Sequence, residues 1–156
     1  MGLIDAVRWL HVLGATVLLG TGAGIAFFMV MAMRTRDAAV IAHVAGSVVL
    51  ADFLFTATAV VAQPLTGAWL AALVGWPLNT PWIVAALALY LLTGAFWLPV
   101  VWMQRRIHRL ARAAAAERKP LPDEAMRLYR LWFACGLPAF AAVLGIIALM
   151  VARPPL

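Results

Sequence analysis

The sequence predicts an all-α integral membrane protein, a four-helix bundle with its N and C termini outside. Three observations predict it. Of 156 residues, 66% are hydrophobic and 12% charged, against roughly 45–50% and 25% in soluble domains. Four apolar runs are each long enough to cross a hydrocarbon core, which takes about 20 helical residues. Lysine and arginine collect in alternate connections, which orients the bundle. A soluble core of this chain length could not hide so much apolar surface. The mean hydropathy of +0.99 excludes a soluble enzyme, a disordered tail and a disulfide-stapled secreted domain. Cys135 is the single cysteine and has no internal partner for a disulfide.

The first span covers about 6–33, polar only at Arg8, His11 and two threonines, and stops at Arg34-Thr35-Arg36-Asp37. Signal-peptide cores run about 7–15 residues behind a positive segment, so this longer run beside Asp5 is expected to be retained. The second span covers 38–62, carries His43 and Asp52, and stops at Gln63-Pro64. Pro64, Gly67, Gly75, Pro77 and Pro81 punctuate the connection to the third span, so no long helix is expected there. Trp69 and Trp76 suit a segment lying along the outer interface. The third span covers 81–103, and 104–119 continues it as a basic cytoplasmic helix with strong helix formers at Ala113–Ala116. The fourth covers 128–152 and starts its helix after Pro120 and Pro122. Asp123 and Glu124 complement its first-turn dipole, Asp123 is spaced to pair with Arg127, and Pro138 is placed to kink it. Residues 1–156 read as a single transmembrane domain.

Charge sets the orientation. The first connection holds Arg34 and Arg36, the stretch 63–80 no charge, and 104–130 eight lysines and arginines plus His108. The first and third connections are therefore expected in the cytoplasm, in a multi-pass protein of the bacterial inner membrane. The net charge of +6 is read as attraction to anionic lipids at the inner face. Nucleic acid is not expected as a partner, because no aromatic residues interleave the arginines. A homo-oligomer or a membrane redox partner is compatible with this reading.

No phosphate loop, CxxC, HExxH or nucleophile elbow is present. The candidates are therefore ionisable residues inside the membrane, which are costly there. Asp52 lies near the middle of its span, with a role in proton transfer or as helix-packing glue. Its expected neighbours are Gly20-Thr21-Gly22, Thr93 and, one turn away, Thr56. His11 and His43 lie near opposite ends of their spans, about 15–20 Å apart in depth for a core of about 30 Å. They cannot share one iron. As haem axial ligands each needs its own partner: Met150 for His11, and Met103 or Met126 for His43. Any metal at His11 would come only through haem. Gly14, Gly20, Gly22 and Gly24 form a small-residue stripe, read first as a seat for a neighbouring helix.

Several runs carry a family resemblance over nearly the whole chain: His11-Val12-Leu13-Gly14-Ala15, Gly20-Thr21-Gly22-Ala23-Gly24, Ala51-Asp52-Phe53-Leu54-Phe55-Thr56, Gln63-Pro64-Leu65-Thr66-Gly67, Gly75-Trp76-Pro77-Leu78 and Trp97-Leu98-Pro99-Val100-Val101-Trp102. Together they resemble the bacterial predicted integral membrane proteins of domain of unknown function family 2269, which implies the four-helix layout. The arrangement is also distantly similar to HemJ-type protoporphyrinogen oxidases and the CopD copper-resistance membrane domain. His11 matches the HemJ-type haem histidine by position. The lysine those enzymes carry after the third-helix tryptophan has no counterpart, since Val84, Ala85 and Ala86 fill that stretch. The departure speaks against protoporphyrinogen oxidase activity and leaves haem binding open.

Two functions emerge as expectations. One is a small membrane protein binding b-type haem through His11, with Asp52 moving protons in redox or proton-coupled chemistry. The other is a cofactor-free accessory subunit, assembly factor or small-solute permease. The topology is tested first: Arg112→Cys and Asn79→Cys are expected to react with impermeant thiol reagents from opposite sides. Labelling from one side only overturns the four-span count.

Overall fold

The computed structural model describes residues 2–154, and every regular element among them is helical. Helix α1 is Leu3–Thr35, α2 Ala38–Ala51, α3 Ala57–Val74, α4 Pro81–Ala116 and α5 Asp123–Ala152, with a π-helical turn at Asp52–Thr56 between α2 and α3. Because α2, the π-turn and α3 run on as one 37-residue rod, the chain forms four rods, each long and apolar enough to cross a membrane. The chain is a multi-pass, four-span integral membrane protein. The α1–α2 and α4–α5 connections share the basic end; the described termini and the α3–α4 connection share the opposite, terminal end.

Local chemistry fixes the reversals. Asp37 caps α2, its carboxylate accepting from the backbone N–H groups of Ala39 at 2.8 Å and Val40 at 3.2 Å. At the end of α3, Gly75 takes φ +82, and the Trp76 N–H reaches the Ala71 carbonyl at 2.9 Å. This left-handed closure is one glycine adopts without penalty. Helix α4 unites the third span with the basic extension, and ends at Ala116 rather than 119. Its partner α5 starts at the expected acidic turn, but the ion pair there differs from the expected Asp123–Arg127. Glu124 instead accepts from Arg106 Nε at 2.8 Å, tying α5 to α4. That hydrogen bond holds the Glu124 carboxyl below its usual range.

The largest difference from expectation lies at Pro64. The local pattern ends the second span there, yet the helix continues ten residues to Val74. A proline inside a helix removes one N–H and leaves the carbonyl four residues back without its partner. Here that carbonyl belongs to Val60, and the Tyr90 hydroxyl of α4 donates to it at 2.6 Å. A tertiary hydrogen bond thus replaces the local one. Only then do the helix-forming alanines and leucines after Pro64 propagate the rod.

The core is concentrated in the half of the bundle nearer the basic end. Its centre is Met29, Ile41 and Ile107, all fully buried. Helix α4 packs along α5 and against α2, while α1 packs against α2 and α3. Along the second rod the buried positions are Ala38, Ile41, Ala45, Val48, Asp52, Thr56 and Ala59. The eight residues from Val48 to Thr56 overrun two turns of about 3.6 residues each. The π-turn absorbs the excess, its Ala57 N–H bonding five residues back to the Asp52 carbonyl. Asp52 and Thr56 therefore share the core-facing side.

Tyr90→Phe is expected to destabilise the bundle by about 0.6 kcal/mol, the average for a membrane hydrogen bond. In a Pro64→Ala background the helix regains its own donor, so the same substitution is expected to cost nothing. Denaturant titration of the four proteins in mild detergent checks the cycle. Equal losses in both backgrounds would show that Tyr90 does not serve Val60.

Candidate functional site

Two polar clusters occupy the bundle, one in the core and one towards the terminal end. The first centres on Asp52, which is 4% exposed. Trp97 Nε1 donates to Asp52 Oδ1 at 3.2 Å. The Gln104 amide, oriented by its neighbours, donates from Nε2 to Asp52 Oδ2 at 3.2 Å and accepts from Trp132 Nε1 at 3.2 Å. The donors thus run Trp132 to Gln104 to Asp52, with Trp97 completing the set. Three rods converge on one carboxyl group.

Each partner arrives by register. Val100, Met103, Gln104, Ile107 and Ala111 form the buried face of α4, so Gln104 takes a core position among apolar residues. Trp97 enters from two turns earlier, and Trp132 of α5 is buried and stacked on Tyr129. Thr56 approaches the Asp52 carboxyl one turn along the rod. Its buried hydroxyl forms no aligned hydrogen bond. Beside the carboxyl lies a cavity of about 80 Å³, lined among others by Asp52, Trp97, Gln104 and Arg105. No cation lies within ion-pair distance of Asp52 among the described residues.

Thr56 stands where expected, but the other neighbours differ. Thr93 donates to the Leu89 carbonyl of its own helix at 2.8 Å. Gly20 and Gly22 have no atom within 4 Å of where a Cβ would stand, so neither seats a neighbour. Depth differs as well. Asp52 is level with Gln104, the residue before Arg105 and Arg106, which places it towards the basic end rather than mid-span. The reason is that α2 starts well beyond the apolar part of α4, packing its first turns on the basic extension. Gly46 accordingly faces the His108 ring.

The second cluster surrounds His11. Its Nδ1 lies 2.9 Å from Thr66 Oγ1, and Thr66 donates its one hydroxyl proton to the Ala62 carbonyl at 2.8 Å. With the Thr66 proton directed to Ala62, Nδ1 is the donor of the pair and the lone pair stays on Nε2. Gln63 Nε2 donates to the His11 carbonyl at 2.8 Å. Two glycines make room. A methyl at Gly14 would collide with the Gln63 amide, and one at Gly67 would stand 3.0 Å from His11 Cε1. The runs His11–Gly14 and Gln63–Gly67, distant in sequence, thus form one contact between α1 and α3. The expected small-residue stripe works only at Gly14; Gly20, Gly22 and Gly24 face open space.

His43 is exposed on the second rod, whereas Met103 is buried in the core, so the two do not form a facing ligand pair. Thr66, the partner of His11, lies 23 residues beyond His43 on the same rod, about 35 Å at 1.5 Å per residue. The histidines are therefore further apart than the expected 15–20 Å. Met150 is partly buried near the end of α5, where its carbonyl accepts from Arg153 Nε at 3.3 Å. The partner that His11 takes is Thr66 of α3. Among the described residues no group of three or more His, Cys, Asp or Glu side chains is placed to hold a metal ion.

A helical membrane protein with a carboxyl group buried at the meeting of three rods is the class that this fold and site define. The chain belongs to the family described as predicted integral membrane protein (DUF2269), which matches residues 5–154. Neither a curated protein nor a solved structure matches it.

Gly14→Ala is expected to destabilise by about 1–3 kcal/mol, the usual range for overpacking. Gly22→Ala, in open space on the same helix, is expected to stabilise by about 0.5–1 kcal/mol. Unfolding titrations of both variants separate the two, and the reverse ranking would show that Gln63 is not seated on Gly14.

Proposed function

We propose that this is a protein of the bacterial cytoplasmic membrane that performs proton-coupled chemistry, with Asp52 as the group that takes up and releases the proton. The basic end faces the cytoplasm, where the arginines and Lys119 meet anionic lipid. The observation that carries the reading is the network itself. Both Asp52 oxygens accept from neutral donors, with no cation held against them. An ionised Asp52 is thereby served by Trp97 and Gln104. A protonated Asp52 has Thr56 beside it, a hydroxyl whose oxygen is free to accept. A small cavity adjoins the carboxyl group, with Arg105 on its wall. Nothing in this scheme requires a cofactor, so it agrees with an accessory subunit or a proton-coupled permease of small solutes.

A second reading is favoured by the His11 tautomer. With Nδ1 committed to Thr66, Nε2 is the kind of nitrogen that serves as an axial ligand of haem b. His11 would hold the haem, which would supply one-electron chemistry there. Asp52 would not serve that haem directly. It lies 14 residues from Thr66 along the rod, about 20 Å by helical rise. A Soret band in protein purified after haem-supplemented expression, lost in His11→Ala, supports this reading; a colourless preparation removes it.

Asp52→Asn tests the first reading. The new amide keeps an acceptor for Trp97 but sets a donor against the Gln104 donor, so a loss of about 0.6 kcal/mol is expected. Insertion and fold are expected to persist. In infrared difference spectra taken across pH, the carboxyl signal of Asp52 is expected in the wild type and absent from the variant, which also fails to complement a deletion strain. Full complementation by Asp52→Asn would eliminate the proton-transfer role.

A further inference from the structure

We infer a discrete binding site for a phosphate-bearing anion at the basic end, between the α1–α2 and α4–α5 connections. A cavity of about 460 Å³ opens there, lined by Arg36, Asp37, Arg118 and Lys119 together with Thr35, Pro120 and alanines at the adjoining ends of α2 and α4. That volume falls within the range of about 300–1,000 Å³ typical of small-molecule sites. It exceeds what a bare phosphate fills and suits a phosphorylated headgroup or a small phosphate ester.

The charges on the cavity wall are unequal and mostly uncommitted. Three of the lining residues are basic and one is acidic. The acid is already used, since the Asp37 carboxylate caps the first turn of α2 through Ala39 and Val40. Lys119 is held by Glu117 at 2.7 Å. Arg36 and Arg118 have no ion-pair partner within 4.0 Å among the described residues. Two arginines therefore line one cavity with no carboxylate within 4.0 Å of either guanidinium group, an arrangement that an oxyanion would complete. Guanidinium forks match phosphate oxygens in pairs, which selects phosphate over a halide or a lone carboxylate.

Both arginines occupy unusual backbone positions: Arg36 has φ 56 and Arg118 φ 51, in a left-handed region that glycine or asparagine takes more readily. Each is the reversal residue of its connection. The site is also a product of tertiary structure. Arg36 and Arg118 are 82 residues apart in sequence and meet only because α2 packs along the basic extension of α4. The cavity lies past Arg105–Arg112 of that extension. Its level is thus the headgroup layer or the water beside it, and the anion comes from an anionic lipid or from a soluble phosphate ester.

The test uses the full chain in a neutral maltoside detergent, with phosphatidylglycerol and glycerol 3-phosphate as probes and phosphatidylcholine as the uncharged reference. Native mass spectrometry counts retained lipid, and thermal unfolding reads both probes. One retained phosphatidylglycerol per chain is expected, with retention falling about tenfold in Arg36→Gln/Arg118→Gln. The control Arg109→Gln/Arg112→Gln removes equal charge outside the cavity and is expected to retain lipid. Stabilisation by glycerol 3-phosphate, with displacement of the lipid, assigns a soluble ester; lipid that glycerol 3-phosphate does not displace assigns the headgroup. Arg36→Lys/Arg118→Lys preserves charge and insertion, and is expected to weaken binding because the paired fork is lost. Equal loss in the control pair, or equal retention of phosphatidylcholine, overturns the site in favour of diffuse surface attraction.

Discussion

A carboxyl group buried in a helical membrane bundle must find hydrogen-bond donors within the protein, and that requirement organises this molecule. Asp52 meets it with Trp97 and Gln104 of α4, and Gln104 in turn is completed by Trp132 of α5. Each of these side chains sits on a face that is otherwise apolar. Sliding α4 by a turn along α2 would leave an amide, a carboxyl and an indole N–H facing hydrocarbon at once. Between membrane helices there is little hydrophobic force to fix register, so small residues and polar contacts set it. Here the polar contacts dominate, because most of the glycines available for close approach meet no neighbour.

A second constraint comes from the length of the middle rod. A π-turn keeps Asp52 and Thr56 on the core face, and a tyrosine hydroxyl carries the helix past Pro64. Both are departures from regular helix geometry, and both have tertiary consequences. Without the continuation beyond Pro64, Gln63, Thr66 and Gly67 would not be presented on one helical face to α1. His11 would then lose the partner that fixes its tautomer. The two polar clusters are thus linked through the rod that bears half of each. Separated by about 20 Å along it by helical rise, they are two sites, and the proton handling proposed for Asp52 would stand independently of any ligand at His11.

The basic end shows the same logic from outside the core. Arg105 to Arg130 give a charge bias that needs no particular geometry to attract anionic lipid. Arg36 and Arg118 are different, because each stands at a reversal and the packing of α2 on α4 brings the reversals together. A bias spread along the chain becomes a cavity with a defined wall.

The number of apolar spans and the presence of a costly carboxyl group, Asp52, within one of them were legible in the sequence. They depend on hydropathy, on charge runs and on the cost of burying a carboxyl group, which are properties of residues and their near neighbours. The partners of Asp52 were not legible. Gln104 reads as the first polar residue after a span and Trp97 and Trp132 as membrane tryptophans, because nothing local reveals that their registers coincide. Pro64 misled for the same reason: its local effect is to end a helix, and the group that offsets it lies on another rod. Hydropathy along the chain was enough to count four apolar rods and to mark Asp52 as a costly residue within one of them. The tertiary structure alone decided what answers that cost, because the answering donors come from helices whose relative register is set only when they pack.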